Sequence, residues 1–420
     1  MAWLLAVAAF AGVVLVWPRL AARNVWAVVG RAGMQALATV LAIVAVAATL
    51  NQQNGWYAGW GDLGHDMFGG NASKGVEQTN GANPADVLST HSPGADQTAV
   101  QFAATRALTQ QQLRLKANPG AAGQYVDVRV PRSDGRGGAV MIWLPQSYTD
   151  ASQANRTYPV IEVFHGIPGG PRDWRHPIDI GRIVSRLAAR REINPPIIVA
   201  PNYTPDGDDT ECVNAPGSTM GTWLTQTVPD WVISHFRVQS SRNSWATMGL
   251  SAGGWCSAVT AMTTPQRYSA AIILGGYFSP LFGTGNPFGK AGIPAEYNLL
   301  QRERTDPPRI AAWVQIAGKD VLSGKVSKQF AENARAPMSV TSMTWPDMGH
   351  RMDVWIAAMP YALQWLGASF PAFSPSAAGG TGAPRTGLRH TTGQSPNPHP
   401  GPITATERRL RAAKPVVGTD

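Results

Sequence analysis

The sequence predicts an α/β domain, a mostly parallel sheet with helices on both faces, preceded by N-terminal transmembrane helices. Three observations predict it. Between residues 124 and 370, short β-branched runs alternate with longer helical patterns, as successive βαβ units do. A Gly-x-Ser-x-Gly element, Gly249 to Gly253, stands where one such run ends and a helical pattern begins. Two apolar runs, residues 2–17 and 32–50, open the chain, each close to the roughly 17–20 residues that cross a hydrocarbon core as helix.

The first run has no basic start and is followed by Pro18-Arg19, unlike a signal peptide with its small-residue cleavage site. The expectation is therefore a retained two-helix membrane anchor over residues 1–50. Arg19, Arg23 and Arg31 fall between the two runs with no acid nearby. Basic residues mark cytoplasmic connections, so everything after Leu50 is expected to be extracytoplasmic. Residues 51–123 read as a juxtamembrane linker. In it Trp56, Tyr57 and Trp60 suit the headgroup level, a Gly/Asn/Ser-rich stretch follows, and residues 99–116 form one amphipathic helix. Residues 371–420 are rich in Pro, Gly, Ser, Ala and Thr and read as a disordered basic tail.

The net charge of +9 is concentrated at the two ends, with Arg385, Arg389, Arg408, Arg409, Arg411 and Lys414 in the tail. A nucleic-acid surface needs its cations clustered on the folded domain, so no nucleic-acid partner is expected. Two Cys in 420 residues exclude a disulfide-dense scaffold and a multi-cysteine metal cluster. On the extracytoplasmic side Cys212 and Cys256 are free to form a disulfide, the alternative being two buried thiols.

Within residues 124–370, strands are predicted at 125–130, 139–144, 160–164, 197–201, 245–250, 270–274, 312–316 and 339–345. Helices are predicted at 178–190, 222–235, 252–262, 325–333 and 353–366. The first two strands read as an antiparallel hairpin at the start of the parallel sheet.

The small residues around Ser251 let the chain turn sharply and present the hydroxyl above the sheet at a helix N-terminus. A serine hydroxyl is a weak nucleophile at neutral pH and needs a base, which in turn needs a carboxylate. Asp320 follows the strand at 312–316 in Ala-Gly-Lys-Asp, and His350 follows the strand ending at Trp345 in Pro-Asp-Met-Gly-His. Both therefore fall at strand carboxyl ends, where such sheets place their sites. His350 is the only domain histidine after Asp320; for the acid, Glu332 and Asp347 stay open. The stretch Phe164-His165-Gly166-Ile167-Pro168-Gly169-Gly170 also follows an apolar strand. Its backbone can aim N–H groups at an oxyanion, with Ile167 and Ala252 as donors, Gly166 as the substitute for Ile167, and His165 shaping the loop.

Taken in order, H-G-I-P-G-G, G-L-S-A-G-G, A-G-K-D and G-H-R-M-D-V-W resemble the α/β-hydrolase fold. Within it they resemble the esterase D group that includes the secreted mycolyltransferases. The resemblance covers residues 124–370. It implies Ser251 as nucleophile, His350 as general base and acid, Asp320 as orienting carboxylate, and Ile167 and Ala252 as the oxyanion hole. Mycolyltransferases usually carry Glu as the acid and a cleavable signal; Asp320 and the retained hairpin favour hydrolysis over acyl transfer.

Between Pro201 and Cys212 the chain is acidic and rich in Gly and Pro, and is expected to rim the pocket, pinned by Cys256, with Tyr203 and Trp255 near the mouth. Its Asp-Gly-Asp-Asp lacks the closing bidentate Glu of an EF-hand, so no metal is assigned, and the chemistry needs no cofactor. The sequence thus predicts a membrane-tethered extracytoplasmic serine esterase acting on lipid or cell-envelope esters. Its rivals are a mycolyltransferase-like acyltransferase to a sugar hydroxyl and a catalytically silent envelope-binding domain.

Overall fold

A computed structural model of the chain describes residues 2–20, 24–54, 57, 59–68, 75–88, 115–116, 119–135, 137–283 and 285–375. Residues 99–114 of the helix expected at 99–116 and the tail beyond residue 375 lie outside the described residues, as does Arg23; residues 115 and 116 are described and are not helical.

In chain order the strands are β1 (Val76–Gly81), β2 (Gln124–Pro131), β3 (Gly137–Leu144), β4 (Val160–Phe164), β5 (Ile197–Pro201), the short pair β6 (Asn214–Ala215) and β7 (Ser218–Thr219), β8 (Trp245–Leu250), β9 (Ala270–Leu274), β10 (Ala311–Ala317) and β11 (Ser339–Trp345). Nine of them form one sheet in the order β1-β11-β10-β9-β8-β4-β5-β3-β2. The run from β5 to β11 is parallel; β2 and β3 form the expected antiparallel hairpin, with β3 antiparallel to β5. Strands β4, β5, β8, β9 and β10 are buried along their whole length. Burial on both faces explains why they read as continuous apolar runs rather than alternating ones.

Helices α1 (Ala2–Val16), α2 (Val25–Asn54) and α3 (Trp60–Phe68) precede the sheet's main body. Within it lie α4 (Ile180–Ala189), α5 (Val228–His235), α6 (Ala252–Thr263), α7 (Leu299–Thr305), α8 (Gly324–Asn333) and α9 (Met352–Ser369). A π turn, Trp223–Thr227, interrupts the helix expected at 222–235. On one face of the sheet α5, α6 and α8 pack over Trp245, Tyr268 and Phe278. On the other, α4 and α9 pack over Trp143, Trp313 and Ile161.

The chain passes from β4 outward to β5 and then returns to the other side of β4 with β8. That reversal opens a crevice beyond the carboxyl ends of β4 and β8, the place where open α/β sheets bind ligands. It falls between Phe164 and Leu250.

Two findings differ from the sequence expectation. The stretch read as a linker supplies β1, which pairs antiparallel with β11 from Val76–Thr344 to Gly81–Ser339, so the sheet starts well before residue 124. At the N-terminus α1 and α2 pack together, with Trp3 Nε1 donating to Thr49 Oγ1 at 2.8 Å. Among the described residues only Val25–Gln52, at 28 residues, is long and apolar enough to cross a membrane by length and composition; Trp3–Val16 is shorter. Asn24 caps α2 through Ala27 N–H, so the helix starts before the second apolar run. Arg31 therefore lies inside α2, over the Trp17 ring at 5.7 Å, and not in the connection.

Candidate active site

Ser251 sits between β8 and α6 with φ 55° and ψ −122°, a backbone conformation that costs a non-glycine residue on the order of 1–3 kcal/mol. The neighbouring glycines are there for space. A Cβ on Gly249 would lie 1.8 Å from the Gly253 carbonyl oxygen, and one on Gly253 would lie 2.1 Å from the Phe164 oxygen. The α6 N-terminus and the loop after β4 thus touch through backbone alone.

The hydroxyl of Ser251 meets His350 Nε2 at 2.9 Å, and His350 Nδ1 meets Asp320 Oδ2 at 2.7 Å. An ionised carboxylate only accepts. Nδ1 must therefore carry a proton, and whenever the ring is neutral Nε2 accepts from Ser251 O–H. Asp320 is fixed in turn: its Oδ1 accepts from the N–H groups of Leu322 at 2.8 Å and Ser323 at 2.9 Å, and the Ser323 hydroxyl donates to Oδ2. Burial pushes the Asp320 carboxyl up, but the bonds and charge of His350 and the Ser323 donors outweigh it, holding the group below its ordinary value. Trp355 braces His350 edge-on, with ring centroids 4.8 Å apart. Gly275, at φ 59°, leaves room for both, since a Cβ there would meet Trp355 Nε1 at 2.6 Å.

Ser251 and His350 open into a cavity of about 570 Å³ that Gly166, Ile167, Leu322 and Trp355 also line. The N–H groups of Ile167 and Ala252 have no acceptor among the described residues. His165 is buried, stacked on Tyr203 at 4.3 Å, and its Nδ1 bonds the Gly166 carbonyl at 2.8 Å. It shapes the loop after β4, as expected.

Sequence reading brought Ser251, Asp320, His350, Ile167 and Ala252 to one crevice. Cys212 and Cys256 form a disulfide, Cα–Cα 5.4 Å, but the acidic stretch before Cys212 does not rim this cavity. Pro205, Gly207, Asp208 and Asp209 line a separate cleft with Arg132 and Trp223. Tyr203 and Trp255 are likewise buried, not at the mouth. Tyr203 Oη donates to the His165 carbonyl at 2.7 Å, and Trp255 Nε1 to the Glu211 carbonyl at 2.8 Å. The segment thus supports the site from beneath.

The place of three further residues at the site escaped the sequence reading. Tyr57 lines the same cavity. Arg351, next to His350, forks onto both Asp353 oxygens at 2.8 Å and also pairs with Asp62 of α3. Only the placement of Arg351 inside the Gly-His-Arg-Met-Asp motif hinted at this.

The fold and site together define an α/β-hydrolase. The family model described as "Putative esterase" matches residues 135–362, more than half of the chain, and the chain belongs to that family. A solved ferulic acid esterase is 20% identical and superposes with a TM-score of 0.52, covering 59% of this chain and 98% of that one. The S-formylglutathione hydrolase of Agrobacterium tumefaciens is 15% identical, with a TM-score of 0.50, covering 60% and 98%. An uncharacterized protein of Corynebacterium glutamicum is 24% identical over 241 residues, 53% of this chain. The match spans only 55% of that relative's own length.

Proposed function

We propose that the chain is a membrane-tethered, extracytoplasmic serine esterase that cleaves lipid or cell-envelope esters through an acyl-enzyme. The observation that carries this reading is the unbroken line Ser251–His350–Asp320, at 2.9 and 2.7 Å.

In this reading His350 Nε2 takes the Ser251 proton as the oxygen attacks the ester carbonyl. The Ile167 and Ala252 N–H groups hold the oxyanion, and Asp320 steadies the imidazolium. His350 then passes the proton to the leaving alcohol. Water, activated by the same imidazole, attacks the acyl-enzyme and releases the acid, restoring Ser251 O–H. The length of Val25–Gln52, the arginines before it and the Cys212–Cys256 disulfide support the tether and the oxidising side.

Transfer to a sugar hydroxyl, the reaction of the mycolyltransferase side of the resemblance, would share this acyl-enzyme. Water is the acceptor we favour. Fluorophosphonate labelling of the full chain, with Ser251→Ala as control, tests the mechanism alongside hydrolysis of a short nitrophenyl ester with and without added sugar. Labelling and hydrolysis lost in the variant support the reading. A folded wild type that does not label sinks it, and an acylated sugar as main product replaces hydrolysis with transfer.

A further inference from the structure

Helix α2 does not hand the chain to a distant domain; it ends at the cavity of Ser251. Asn51, in its last turn, donates through Nδ2 to the Tyr57 carbonyl at 2.8 Å and accepts the Tyr57 N–H at 2.6 Å. This reciprocal clamp holds Tyr57 against the last turn of the helix. Tyr57 then forms part of the cavity wall that Ser251 and His350 share, with the Arg351 guanidinium over its ring at 4.9 Å. Asn51, Gln52 and Tyr57 line a second, adjoining cavity of about 450 Å³ against Gly318, Lys319, Asp320 and Val321.

The same place collects exposed apolar surface. Among the described residues from 137 to 375, the large apolar side chains standing in the open are Ile167, Leu281, Ile293, Val321, Leu322 and Tyr361. Ile167 and Leu322 line the Ser251 cavity, and Val321, 80% exposed, lines the adjoining one at the end of α2. Isolated apolar residues on a surface need no explanation, but a group at a cavity mouth marks a place of contact. A helix that spans the bilayer delivers its last turn to the headgroup layer, which is only about 5–8 Å deep on each side. Whatever packs on that last turn lies in or against this layer.

We propose that the mouth of the Ser251 cavity rests on the membrane surface, with Val321, Leu322 and Ile167 seated at the headgroup–acyl boundary, and that the substrate is a membrane-resident lipid ester entering from the bilayer. The proposal rests on the reading of α2 as a span and of Ser251 as the nucleophile. It selects lipid esters over envelope polymers, which would approach from water. Lys319, exposed beside Val321, has the charge to meet a lipid phosphate.

The test uses the full chain in nanodiscs of phosphatidylcholine and phosphatidylglycerol. Both native cysteines are in the disulfide, so Val321→Cys and, separately, Leu322→Cys accept a single environment-sensitive fluorophore. The expected result is quenching by nitroxide-bearing lipids and protection from aqueous iodide. Iodide quenching without lipid quenching at both positions overturns the proposal. The enzymatic arm compares nitrophenyl palmitate held in the same bilayer with nitrophenyl acetate in water. Val321→Asp should lower the ratio of the two rates about tenfold, the loss expected for withdrawing one aliphatic contact from an apolar layer. An unchanged ratio overturns it. Because the fluorophore reports position without turnover, a failure of fluorophosphonate labelling at Ser251 would strike the esterase mechanism and leave the membrane placement to be decided on its own.

Discussion

The N–H of Ser251 donates to the carbonyl oxygen of Leu274 at 2.8 Å, so the last residue of β9 holds the strained residue that follows β8. This bond and the glycine contacts fix φ at 55° whatever side chain stands there. Ser251→Ala should therefore fold with an unchanged melting temperature while turnover falls roughly 10⁴-fold or more. Ser251→Gly, equally inactive, should be more stable than Ser251→Ala by about 1 kcal/mol, because glycine adopts this conformation freely. Urea titration of the two variants checks the order.

Asp320→Asn keeps the shape of the site but offers the wrong hydrogen-bond pattern to His350 Nδ1. Turnover of the nitrophenyl ester should drop about 10⁴-fold. The wild-type carboxyl is held below its ordinary 3.8, so it contributes stability that is complete above that value and fades as pH falls through the folded one. The stability gap between wild type and Asp320→Asn should accordingly narrow below pH 3.8, as read by thermal denaturation from pH 3 to 6.

Glu211 behaves in the opposite sense. Burial, with the Asp209 charge second, raises it to about 7 from an ordinary 4.5, although Tyr277 Oη donates to its Oε1 at 2.8 Å. A raised acid carries no penalty below 4.5 and costs stability as pH rises through about 7, on the order of 1–3 kcal/mol when ionised. Glu211→Gln should thus be more stable than wild type at pH 8.5 and show no such gain at pH 4.5. A gain of equal size at both pH values would mean that charge is not the cause.

The Cys212–Cys256 bridge joins positions 44 apart in sequence and ties the loop between them to α6, the helix that follows Ser251. Replacing both cysteines by Ala should cost about 2–4 kcal/mol in urea unfolding. Fluorophosphonate labelling well below the transition should persist, because Ser251, His350 and Asp320 are held by other contacts. Labelling abolished in a folded double variant would make the bridge part of the site's geometry.

The central strands were legible because both of their faces are buried, leaving apolar runs such as Ile197–Pro201 and Ala270–Leu274 that match their predicted bounds. Ser251, Asp320 and His350 were legible as one group because each follows a strand of the sheet. Strand β1 was not. Its Val-Glu-Gln-Thr-Asn-Gly carries no apolar alternation, since it closes one edge through backbone bonds to β11, and such bonds leave no trace in side-chain type. The short helix α7 was missed because Leu299 alone is its fully buried apolar residue, too little for a period. Asp62 and Arg351 are 289 positions apart, and no local pattern announces a pairing of that span.

The outer strand β1 and Asp62, one of the two acidic partners of Arg351, both come from chain that precedes the Ser251, Asp320 and His350 motifs. The stretch from Asp62 to Gly81 is therefore no removable handle. A truncated enzyme starting at residue 124 would bare the backbone of β11 as an open template for strand addition by a second molecule and strip Tyr57 from the cavity wall. Conversely, a single protease cut between residues 89 and 114 should leave the two fragments assembled, joined by the register from Val76 to Gly81 and the buried charge pair. Residues 1–88 would then act as a noncovalent subunit, able to complement the remainder when the two halves are expressed as separate polypeptides.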